Sequence, residues 1–490
     1  MKAALSAWSL LALGLAPLAP QSVRAETPLH AVLIGGGPDL ENNGAQIESH
    51  VRFVLTILPG AANRFVHFAD GKARAKTVSF TDTAKLSLGR RAMHVLLPND
   101  DFGAPTESRV PQLGVKSDGA ALRPDLRRSF GQVAKAVTKS APVLLYFAGH
   151  GSANTSNEEN NSYNLWNGAD LRVSHLASEI ERLPVKAPIA LVMVQCYSGA
   201  FANVIFRQGD PANDLDDHDI AGFFAATKDR MAAGCGSEIH EPDYQDFSSY
   251  FFGALCGRSR LGEPITVADY DQDGSVNMHE AFCFALIHDP SSDTPTCTSD
   301  AFLRRFSAVP DAELYATPFE QIRQAATLAQ RAALDALSEK LELTGEERLI
   351  AAFDRLTFRD PVARTALLQR ALQDGLQLNE LRQKTLASLF AKWPVLRWSD
   401  ADAYGEASDE AIRELDGTPA LCQEILATSK ASAEANAAME NEDAFLLRFT
   451  GLCTSIIRGE HLRMTGPEPV KERFEKLCRS EQRTLPLRAR

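Results

Sequence analysis

The sequence predicts an α/β layered domain with about six mostly parallel strands, followed by an all-α C-terminal region. Three observations carry this. Apolar runs of strand length, separated by helix-compatible stretches, occupy the chain up to about residue 305. These runs are continuous rather than alternating, as a sheet covered on both faces requires. Beyond residue 305 the apolar period changes to steps of three and four residues, the signature of amphipathic helices.

The strand expectations, in order, are His30 to Ile34, Arg64 to Phe68, Met93 to Leu97, Val143 to Phe147, Ile189 to Val194 and Ile220 to Ala226. Asn43 to Leu58, Asp125 to Lys139 and Ser174 to Arg182 supply crossover helices between parallel strands. In the C-terminal region Phe319, Ile322, Ala326, Ala329, Ala333 and Leu337 mark one helical face, opened by Thr317, Pro318 and Glu320 as capping signals. Thr344 with Glu347 repeats the signal, Asp360-Pro361 opens a further helix, and Lys392 to Trp398 breaks the region. The expected organisation is a signal peptide at 1–25, a layered domain at 26–305 and a helical domain at 306–490. The first segment has Lys2, an apolar block from Ala3 to Leu18, and the small-x-small site Val23-Arg24-Ala25, so the mature chain is expected to be exported, secreted or periplasmic.

Composition limits the partners. The 490 residues carry 51 Lys+Arg against 63 Asp+Glu, a formal charge of −12, which argues against a nucleic-acid groove or an anionic membrane surface. No membrane span is expected, and oligomeric state is not legible. The eight cysteines are too few for a disulfide scaffold at this length.

In a parallel sheet, functional groups gather at the carboxyl ends of strands. Two ends carry chemistry: Val143 to Phe147 leads into Ala148-Gly149-His150-Gly151, and Ile189 to Val194 leads into Gln195-Cys196-Tyr197-Ser198-Gly199. Each sets one reactive side chain after a buried strand and beside glycine. A thiol is only slightly ionised at neutral pH, and an imidazole can take its proton. The amides of Gly151 and Cys196 are placed to hold an oxyanion.

With both motifs in view, the chain resembles the legumain-like cysteine peptidases of the caspase/legumain/gingipain clan, over roughly residues 28 to 290. The resemblance implies a caspase-like fold, a His150–Cys196 dyad, and a supporting Asn after the first strand, for which Asn42 or Asn43 is the match. It implies a peptide or protein substrate, with the residue before the cut entering a pocket lined by Ile220 to Thr227 and by Lys228, Asp229 and Arg230. Asp229 suits a basic side chain, and Lys228 or Arg230 an acidic or amide one. Legumain-like zymogens also suggest C-terminal helices that cover the cleft until they are cut away. The expected activity is that of a cysteine endopeptidase working through a thioester. A transamidase of the same clan and a non-catalytic binding protein with a degenerate peptidase domain are the alternatives.

A second motif is independent of the first. Asp269, Asp271, Asp273, Gly274, Ser275, Asn277 and Glu280 fit a twelve-residue EF-hand loop, with oxygen ligands at positions 1, 3, 5, 7, 9 and 12. Structural Ca²⁺ is therefore expected there, and no organic cofactor. Of the remaining cysteines, Cys235 with Cys256 and Cys283 with Cys297 are the most local pairings.

Overall fold

The computed structural model describes residues 29–137, 141–358 and 365–488. The expected signal peptide and the Asp360-Pro361 helix start lie outside the described residues. Six strands form the central sheet: β1 His30–Gly36, β2 Asn63–Phe68, β3 Val143–Gly149, β4 Pro188–Met193, β5 Asp219–Phe224 and β6 Thr296–Cys297. Their order is β6-β5-β4-β3-β1-β2, all parallel except β6, which runs antiparallel to β5. The switch in winding direction falls between β1 and β3, where an open α/β sheet splays its loops apart and leaves a crevice.

Alternate residues of each strand serve two cores, which is why the runs are apolar throughout. On one face Ala31, Leu33, Tyr146, Val192 and Phe223 pack with α1 Ala45–Ile57, α5 Phe247–Cys256 and α6 Met278–His288. On the other, Val32, Ile34, Leu145, Phe147 and Leu191 pack with α3 Arg123–Ala136, α4 Val173–Ile180 and α7 Thr298–Phe306.

The expected strand at Met93 to Leu97 is wrong. Those residues belong to α2 Leu88–Leu96, whose N-cap Ser87 accepts the Arg90 amide at 3.2 Å. Ala92, Met93 and Leu96 form one helical stripe buried against the C-terminal helices, while His94 is exposed. A short apolar run reads alike in both periods, and here tertiary packing selects the helix. The sixth strand is instead β6, two residues long.

The C-terminal region is helical: α8 Asp311–Tyr315, α9 Phe319–Ala325, α10 Leu328–Lys340, α11 Arg348–Phe358, α12 Thr365–Lys392, α13 Tyr404–Asp416, α14 Pro419–Thr465 and α15 Glu468–Glu481. The face from Phe319 to Leu337 is buried, but it spans two helices, because Thr327 caps a fresh start with Gln330. The break at Lys392 to Trp398 is present.

Packing does not stop at residue 305. α7 runs across it, and Phe445, Leu446 and Phe449 of α14 belong to the same core as Tyr146 and Phe223. All eight cysteines are free thiols, so the two local pairings are not formed. Cys256 is buried, its thiol donating to the Gly253 and Arg258 carbonyls, whereas Cys235 stands in the loop beside Cys196. Among the described residues no helix is long and apolar enough to cross a membrane.

Candidate active site

β3 and β4 pair in parallel with Val143 opposite Ile189 and Phe147 opposite Met193, a constant offset of 46 residues. The ladder continues past the strands, with the Val194 amide donating to the Phe147 carbonyl at 3.0 Å. The same offset separates His150 from Cys196, so the two reactive side chains leave neighbouring strands at matched positions. A Cβ on Gly151 would lie 2.1 Å from the Cys196 carbonyl oxygen and 2.8 Å from Gln195 Cγ. Only glycine lets these two turns touch.

The Asn42 backbone carbonyl lies on one side of the His150 ring, where it favours the protonated form. The ring's Nε2 is buried with no hydrogen-bond partner among the described residues, so it is the nitrogen left free. Burial pushes the imidazole below its ordinary pKa, against smaller upward effects from the Asn42 carbonyl and Asp39. Burial pushes the Cys196 thiol up, against the Ala232 backbone hydrogen bond. Both shifts favour the neutral forms of the two groups.

Asn43 does not touch His150. It is fully buried, accepting the Gly37 amide on Oδ1 at 3.2 Å and donating from Nδ2 to the Thr77 carbonyl. It thereby shapes the turn after β1, and the Asn42 carbonyl of that turn meets the ring. The Asn42 side chain is occupied elsewhere, donating to Asp39 at 2.8 Å.

Several contributors have no signal in the sequence. The Ala232 amide donates to Cys196 Sγ at 3.3 Å. The Tyr163 hydroxyl donates to the Ala148 carbonyl at 2.9 Å, bracing the backbone just before Gly149-His150. Gln195 is 1 % exposed, and neither end of its amide has a partner among the described residues. An unpaired buried amide is costly, and functional sites are where such groups persist.

Of the three charged residues after β5, Lys228 is engaged by Glu159, whose other oxygen accepts from Asn203 at 2.7 Å. Asp229 and Arg230 line a cavity of about 440 Å³ between the sheet end and the C-terminal helices.

The acidic loop brings three of its six expected ligands together. Oxygens of Asp269, Asp271 and Asp273 lie within 4.8 Å of one another, and Asp269 Oδ1 is buried without a partner. Gly274 takes φ +91, the left-handed turn that this position needs. Asn277 and Glu280 instead cap α6. Asn277 Oδ1 accepts the Glu280 amide, and the Glu280 carboxylate accepts the amides of Tyr270, Asp271 and Asn277. The Ser275 hydroxyl donates to Asp273 at 2.8 Å.

No family model matches the chain, and no curated protein matches it. Among solved structures it is similar to protein GSU0716 from Geobacter sulfurreducens, at 13% identity and a TM-score of 0.29, over 55% of this chain and 92% of that one.

Proposed function

We propose that the protein is a cysteine endopeptidase of the legumain-like kind, with Cys196 as nucleophile and His150 as its base. The supporting observation is the matched exit of both residues from paired strands, with the unpartnered His150 Nε2 left open.

In this reading Cys196 gives its proton to His150 Nε2 as sulfur attacks the scissile carbonyl. The Gly151 and Cys196 amides receive the oxyanion. Collapse breaks the C–N bond, and His150 returns the proton to the leaving amine. Water then attacks the thioester, His150 takes the water's proton, and the thiol is regenerated as the acid product departs. With the neutral forms of thiol and imidazole favoured, proton transfer accompanies attack.

Asp229 and Arg230 offer opposite charges to the side chain before the cut, with Lys228 occupied by Glu159. A peptide library read by mass spectrometry tests the whole reading. Wild type cleaves and Cys196→Ala does not; equal cleavage by both sinks it. Adding an amine acceptor shows whether water or an amine resolves the thioester, and the cleaved bonds show which of the two charges is read.

The loop from Asp269 to Glu280 is proposed as a structural calcium site. Its three converging carboxylates and the buried free oxygen of Asp269 suit a hard cation. Ca²⁺ there would neutralise the acidic turn and stiffen the start of α6, without taking part in the reaction.

A further inference from the structure

The segment from Ala232 to Ser237 crosses the nucleophile as a strap, and it is pinned along its length. The Ala232 amide donates to Cys196 Sγ at 3.3 Å, and the next amide, Ala233, donates to Asp293 Oδ1 at 2.7 Å. The Gly234 carbonyl accepts from His50 Nε2 at 2.8 Å; Arg260 fixes this tautomer by donating to His50 Nδ1 at 2.6 Å. Gly236 exchanges two bonds with Gln46, and the Ser237 carbonyl accepts the Thr81 amide at 2.9 Å.

Asp293 connects this strap to the rest of the fold. It is fully buried, and its second oxygen accepts the Phe247 amide at 2.9 Å, in the first turn of α5. Its own backbone carbonyl accepts from Arg448 Nε at 2.7 Å, and Arg448 lies in the middle of α14. The same guanidinium donates to the carbonyls of Ser291, Asp289 and Leu286 and pairs with the Asp289 carboxylate at 3.4 Å, both side chains being fully buried. The planar fork thus satisfies nearly the whole turn from Asp289 to Asp293.

We infer that Arg448 and Asp293 are positioning residues for the nucleophile, and that the C-terminal helical region is a working part of the site rather than a cover over it. An ion pair buried this deeply adds little stability over apolar packing, so what it holds in place is the informative fact. Without the guanidinium the turn carbonyls lose their donors and the turn moves. Asp293 then shifts, Ala233 follows, and the Ala232 amide leaves Cys196 Sγ. The inference rests on Cys196 being the reacting thiol, but not on peptide hydrolysis.

The test is amide hydrogen exchange by mass spectrometry on the full chain, with kinetics on the best library substrate. In Arg448→Met, amides 232–236 should exchange about tenfold faster, the change expected when one anchoring hydrogen bond is lost, while β1 and β3 exchange as in wild type. The kcat should fall about tenfold with KM unchanged. Arg448→Lys, which keeps the charge but not the fork, should recover part of both. Asp293→Asn, which can accept only one of the two amides, should speed exchange at the strap or at the start of α5. Wild-type strap exchange in a folded Arg448→Met overturns the inference; if that variant does not fold, the same result in Arg448→Lys does. Should even wild type cleave nothing, the peptidase reading fails and exchange alone decides this one.

Discussion

Ending the chain after Phe306 removes α8 to α15 and tests whether the layered domain can stand alone. The last two helices alone bury Phe445, Leu446, Phe449, Leu452, Ile456, Leu462, Phe474 and Leu477 in the two cores that also contain the sheet. Ending the chain there uncovers the faces of the layered domain that these side chains cover, at a cost of roughly 1.5–3 kcal/mol for each large apolar side chain left exposed. A domain's net stability is commonly about 5–15 kcal/mol. The truncated chain should therefore lose cooperative folding and activity together, and it should not be released into a more active form. The assay is near-UV circular dichroism through a urea series, followed by cleavage of the best library substrate. A chain ending at Phe306 that unfolds cooperatively near the wild-type midpoint, and cleaves faster than the full chain, would refute the reasoning and restore the zymogen analogy.

Three further outcomes are expected. The acid limb of kcat/KM should have its midpoint below 6.5, because catalysis needs neutral His150, burial lowers its pKa, and activity is lost as pH falls through that value; a midpoint at 7 or above contradicts the assignment. Gly151→Ala should lower kcat about 10²-fold and cost about 1–3 kcal/mol in urea unfolding, since the added methyl meets the Cys196 carbonyl at 2.1 Å; activity within twofold of wild type would count against it. Excess Ca²⁺ at about a hundred times its Kd should raise unfolding stability by about 2.7 kcal/mol over chelator, and Asp271→Asn should erase most of the difference; identical melting with and without chelator removes the calcium site.

The His150–Cys196 pair was legible because a parallel ladder turns sequence spacing into spatial register. Their separation of 46 residues is the offset of β3 against β4 itself. The clustering of Asp269, Asp271 and Asp273 was legible because their spacing is local, although Asn277 and Glu280 show that helix capping competes for the oxygens later in the motif. Met93 to Leu97 misled because five apolar-rich residues fit a strand and a helix equally, and the deciding contacts come from α13 and the start of α14, more than 300 residues later. β6 was invisible for the opposite reason: two residues have no period.

By itself the sequence determined the layered α/β class, the helical C-terminal region, five of the six sheet strands and the two turns that carry the candidate dyad. Each of these follows from local periodicity or from short spacing. Tertiary structure alone decided that Asn43 bonds the Gly37 amide and the Thr77 carbonyl, that Ala232 meets the thiol, and that Arg448 reaches Asp293 from a helix more than 150 residues away. Those contacts are made by backbone amides and carbonyls, which every residue carries, so no residue type announces them, and only the folded path of the chain brings them together.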